Sequence, residues 1–98
     1  MKAKEPVVLL QENRALLNKH HVKALYLFGS VVREENKPDS DVDILVEFQP
    51  EAHVGLFGLA RLQRILSEIL DRPVDLTTAN SLHKALKDRI LKEAVRAA

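Results

Sequence analysis

At ninety-eight residues, the chain has the length of one domain, which predicts a single unit over 1–98 and excludes separate cofactor and acceptor domains. Fifteen Lys and Arg stand against fourteen Asp and Glu, a formal charge of +1, whereas a general nucleic-acid binder carries a strong basic excess. Cysteine is absent, so disulfides, Cys-ligated zinc and thiol catalysis are excluded.

Apolar residues make up 46% of the chain, but only three Phe and one Tyr are aromatic, so the core must rest on Leu, Val and Ile. The N-terminus lacks a secretory pattern and no apolar run reaches membrane-spanning length, which leaves a soluble cytoplasmic protein as the expectation.

In chain order, residues 5–19 read as a helix. Pro6 suits its first turn, and Leu9 with Leu16 and Leu10 with Leu17 recur two turns apart. Residues 22–28 form a short apolar run ended by Gly29, the pattern of a strand. Residues 31–34 predict a helical turn, and a polar loop follows through Asn36, Lys37, Pro38, Asp39 and Ser40. Residues 42–48 are rich in β-formers and give the clearest strand, closed by Pro50.

Between residues 56 and 70, Leu59, Leu62, Leu66 and Ile69 mark one face of a helix. A third short strand is expected over 74–76, after Pro73. Ser81 is placed to cap a last helix carrying Leu82, Leu86 and Ile90 on one stripe. The expected architecture is α/β (α+β), order α-β-β-α-β-α, with a small mixed three-stranded sheet packed by helices.

Three features of this chain bear chemistry. Asp41 and Asp43 sit at i and i+2 on the second strand, so their carboxylates share one face. Two adjacent carboxylates repel unless a proton or cation is shared, and Mg²⁺ with oxygen ligands is the natural neutraliser. Such pairs also occur at solvated strand edges, so this one alone does not identify a site.

Gly29-Ser30 follows the first strand directly. Glycine permits close backbone approach to a ligand, and a short helix opening there would offer amides to phosphate. Ser30 adds a hydroxyl donor, and Arg33 lies one turn on, within reach of a phosphate oxygen. Asp75, between Val74 and Leu76, points away from the face those two bury. If the third strand lies beside the second, Asp75 joins the Asp41/Asp43 pair.

Together, Gly29-Ser30, Asp41-x-Asp43 and a later strand aspartate resemble the nucleotidyltransferase superfamily that includes DNA polymerase β. The stretches 29–33 and 40–46, with Arg72-Pro73-Val74-Asp75-Leu76 and the closing residues 90–94, look like its minimal nucleotidyltransferase branch. The resemblance covers nearly the whole chain. Val32 and Glu34 depart from the small residue and the glycine that often flank the arginine.

The resemblance implies a minimal nucleotidyltransferase fold. It also implies two Mg²⁺ ions roughly 3.5–4 Å apart, held by Asp41, Asp43 and the triphosphate, with Asp75 completing the site. Gly29, Ser30 and Arg33 would bind the phosphates. It further implies transfer of a nucleoside monophosphate, AMP from ATP, to a tyrosine of a partner HEPN toxin, the chain acting as antitoxin. No direct contact with nucleic acid or membrane is expected, and a homo-oligomer is allowed. Two other readings remain open: a non-catalytic module that neutralises its partner by contact, and a small-molecule nucleotidyltransferase.

His20 and His21 project about 100° apart on a helix and make a poor metal pair. His53 and His83 fall near expected helix starts and read as surface or capping residues. Lys84, Lys87, Arg89 and Lys92 read as a solvated basic face that could also meet a partner or a phosphate.

Overall fold

The computed structural model describes residues 4–29, 41–79 and 83–98. Its elements run α1 (Lys4–Glu12), α2 (Arg14–Lys19), β1 (Val22–Phe28), β2 (Val42–Phe48), α3 (Leu56–Leu70), β3 (Val74–Thr78), α4 (Lys84–Glu93) and β4 (Val95–Arg96). The strands form one mixed sheet in the order β3-β2-β1-β4. β1 pairs antiparallel with both β2 and β4, while β2 and β3 are parallel. The parallel pair needs a crossover, and α3 supplies it. The helical turn expected at 31–34, the loop through 36–40 and the Ser81 cap lie outside the described residues.

Two differences from the sequence reading have local causes. The first helix is two helices, because Asn13 intercepts the hydrogen-bond ladder. Its Nδ2 donates to the Leu9 carbonyl at 2.8 Å, the acceptor its own backbone N–H would use in an unbroken helix. That N–H turns to the Leu10 carbonyl at 3.2 Å. Leu10 and Leu17 still reach the core, while Leu16 faces out.

The sheet also has four strands rather than three. The fourth is a two-residue segment after α4, extended along β1 by the Ala97 amide donating to the Leu25 carbonyl at 2.8 Å and the Leu25 amide donating to the Ala98 carbonyl at 3.2 Å.

Among the described residues, the two faces of the sheet are covered unequally. Leu25, Leu27, Val42, Ile44, Val46, Val74 and Leu76 turn to one side, where Leu10, Leu17, Leu62, Leu66 and Leu70 of α1, α2 and α3 close over them. On the other face a smaller cluster of Leu45, Ala79 and Ile90, with Tyr26 and Phe28 against it, holds α4. Leu86, expected on the buried stripe of that helix, is 45% exposed. Among the described residues no helix is long and apolar enough to cross a membrane.

Candidate active site

The face of the sheet that α4 packs against carries the acidic residues. β1 ends where β2 begins, with Phe28 opposite Asp43, and the parallel register sets Asp43 directly beside Asp75. The Val42 amide donates to the Pro73 carbonyl at 2.9 Å and ties the starts of β2 and β3 together. Val42 and Val74 are buried on the far side. Because strand side chains alternate, Asp43 and Asp75 must both emerge on the α4 face. Asp41, immediately before β2, is two residues from Asp43 and falls on the same face by the same alternation.

Adjacent strands lie about 4.8 Å apart and i to i+2 spans about 6.7 Å, so the backbone sets three carboxylate-bearing positions within one small patch. Asp41 and Asp75 are exposed, and Asp43 is half-buried. Among the described residues, no three His, Cys, Asp or Glu side chains are arranged as a finished metal site. The strand register thus joins Asp43 and Asp75, while Asp41 stands one step outside. An all-oxygen, all-carboxylate donor set suits a hard divalent cation.

Gly29 is fitted to this patch in two ways. Its φ is +75°, a left-handed conformation that side chains other than glycine resist. A Cβ there would also overlap Asp43 Oδ2 and lie 3.2 Å from its Cγ. The half-buried carboxylate of Asp43 therefore occupies the space that the missing side chain leaves. Ser30 and Arg33 lie outside the described residues.

Beneath the carboxylates, Phe28 and Leu45 extend the same face toward Ile90, an apolar floor that lowers the local dielectric and strengthens charge interactions above it. Lys84, Arg89 and Lys92 of α4 are exposed.

One grouping escaped the sequence reading. His20, His21 and His53 line a common concavity with Lys19 and Arg61. More than thirty positions separate the first two from His53, and no periodicity links them. His83 occupies the N-cap position of α4 without making a side-chain cap.

A family model described as Nucleotidyltransferase domain matches residues 9–97. A candidate protein adenylyltransferase of Methanocaldococcus jannaschii is 51% identical over 80 residues, covering 82% of this chain and 84% of that one. The protein adenylyltransferase MntA of Thermococcus cleftensis is 36% identical over 88 residues, covering 90% and 87%.

Among solved structures, a candidate minimal nucleotidyltransferase superposes with a TM-score of 0.79 at 30% identity, covering 97% of this chain and 95% of that one. A chain from a tri-AMPylated Shewanella oneidensis HEPN toxin in complex with MNT antitoxin gives a TM-score of 0.67, covering 95% and 71%. At 21% identity that last likeness is one of fold.

Proposed function

The chain belongs to the nucleotidyltransferase domain family, and from that membership we propose that it is a Mg²⁺-dependent protein adenylyltransferase. It moves AMP from ATP to a tyrosine hydroxyl of a HEPN-domain toxin and thereby serves as an antitoxin. The observation that carries this reading is the pairing of Asp43 with Asp75 across β2 and β3, with Gly29 opened to receive the Asp43 carboxylate. Support for the acceptor comes from the adenylyltransferase names of the relatives and from the tri-AMPylated toxin of the Shewanella oneidensis complex.

In this scheme Asp41, Asp43 and Asp75 hold Mg²⁺. When bound, the metal neutralises charge on the triphosphate and lowers the pKa of the acceptor hydroxyl. The acceptor oxygen attacks the α-phosphorus, the bond from that phosphorus to the β-phosphate oxygen breaks, and pyrophosphate departs. Asp75, at the exposed end of the patch, takes the hydroxyl proton. Gly29 lets the phosphates approach the backbone, and Ser30 and Arg33 hold the outgoing pyrophosphate. The Phe28–Leu45 floor excludes water from below the reacting centre.

The test combines the chain, a HEPN partner, Mg²⁺ and ATP, and reads the partner's intact mass. A gain of one or more AMP units that vanishes on Tyr→Phe substitution of the partner is expected. Tight complex formation with no mass gain would replace the enzyme reading with that of a contact antitoxin.

A further inference from the structure

The strands place a second charged feature at the pole of the sheet opposite the aspartates. β1 begins where α2 ends and finishes at Gly29, so the α2–β1 junction and the acidic patch are separated by the length of the strand, roughly 20 Å. At that junction Lys19, His20 and His21 meet His53 and Arg61 around a concavity of about 420 Å³ whose remaining lining is Val54, Gly55 and Gly58. Clefts of roughly 300–1,000 Å³ accommodate small ligands.

The chemistry of the lining is one-sided. One lysine, one arginine and three imidazoles line the space, and among the described residues no Asp or Glu joins them. In a chain whose charges otherwise nearly cancel, that segregation is local. The groups come from the end of α2, the loop after β2 and the first turns of α3, and chain geometry holds them together. His21 adopts φ 66°, and its carbonyl accepts the Gln49 amide at 2.9 Å, which fastens the two segments.

The start of α3 adds donors. Its N-cap is Gly55, no side chain caps it, and its first turn carries no acidic residue. A Cβ at Gly55 would meet nothing within 4 Å, so neither backbone conformation nor crowding demands glycine there. The first-turn amides of α3, like those at any helix start, have no intrahelical partner.

We propose that this concavity is a binding site for a small phosphate-bearing anion, distinct from the nucleotidyl centre, with Lys19 and Arg61 supplying charge and His20, His21 and His53 supplying ring N–H donors. A dianionic phosphate matches a ring of several donors better than a carboxylate does, because it offers more acceptor oxygens to groups converging from three segments.

The test is an amide-resolved NMR titration of the full chain with inorganic pyrophosphate in Mg²⁺-free buffer. Saturable shifts are expected at His20, His21 and the amides of residues 56–58, and they should persist in an Asp43→Asn background. Arg61→Glu and Lys19→Glu, both at exposed positions, should each weaken the apparent Kd roughly tenfold or more while amide dispersion shows the fold intact. Absence of saturable shifts at these residues, shifts confined to the Gly29 end, or an unchanged Kd in both charge-reversal variants would overturn the proposal. A short RNA that shifts these amides where pyrophosphate does not would overturn it in favour of a nucleic-acid surface.

Discussion

Substituting Gly29 by alanine separates two costs that the structure superimposes. A non-glycine residue held at φ +75° loses about 1–2 kcal/mol to left-handed strain. The new methyl also overlaps Asp43 Oδ2, and forcing extra volume into an occupied space costs about 1–3 kcal/mol. The sum, roughly 2–5 kcal/mol, corresponds to a fall in Tm of about 10 °C or more for a domain of this size.

The two contributions separate in an Asp43→Ala background, where the oxygen and Cγ are gone and only the strain remains. The cost of Gly29→Ala should then drop to about 1–2 kcal/mol, leaving a coupling of at least 1 kcal/mol or so between the positions. Thermal and urea denaturation of the four proteins, followed by far-UV circular dichroism, supplies the cycle. Equal costs in both backgrounds, within about 0.5 kcal/mol, would refute the claim that the carboxylate fills the glycine's side-chain space.

Asp41→Asn and Asp43→Asn should each abolish transfer of labelled AMP while leaving Tm near the parent value, and chelation by EDTA should do the same until Mg²⁺ is restored. Asp75→Asn should lower transfer by about 10²–10⁴-fold yet hold or raise Tm in Mg²⁺-free buffer, since it removes one of two like charges directly opposite each other. Leu66→Ala, at a fully buried position of α3, should cost roughly 2–5 kcal/mol in denaturant unfolding, a large part of what a domain this small has. Lys23→Ala, which breaks a 3.4 Å pair with Glu47 whose side chains are 52% and 37% exposed, should change stability by less than about 0.5 kcal/mol.

Elements defined by long apolar patterns are legible in the sequence. The bounds of β1, β2 and α3 follow from apolar runs and stripes that end at Gly29, Pro50 and the turn before Pro73. What escaped the pattern has short-range causes. The break at Asn13 arises from one side-chain hydrogen bond, which hydrophobic spacing does not encode. β4 is two residues long, too short for an alternation to register, and it is held by backbone bonds to β1. Leu86 fits the helical stripe but is 45% exposed, outside the described cluster under α4. The histidine–lysine–arginine concavity is assembled by the fold from segments distant in sequence, so no local motif announces it.

The placement of Asp75 shows how apolar neighbours can aim a polar side chain. Val74 and Leu76 are 5% and 8% exposed, packed with α3 on the closed face of the sheet. A slip of β3 by one residue against β2 would turn both into solvent and drive the Asp75 carboxylate into that core. Burying an unpaired charge there costs several kcal/mol, on top of the lost burial of two aliphatic side chains at roughly 1.5–3 kcal/mol each. That penalty approaches the total stability of a small domain, so the register that sets Asp75 beside Asp43 is protected by the hydrophobic core itself. The same argument holds for Asp43 between Val42 and Ile44, both fully buried. In β2 and β3 the aliphatic residues on one side of the sheet thus decide which acidic residues meet on the other.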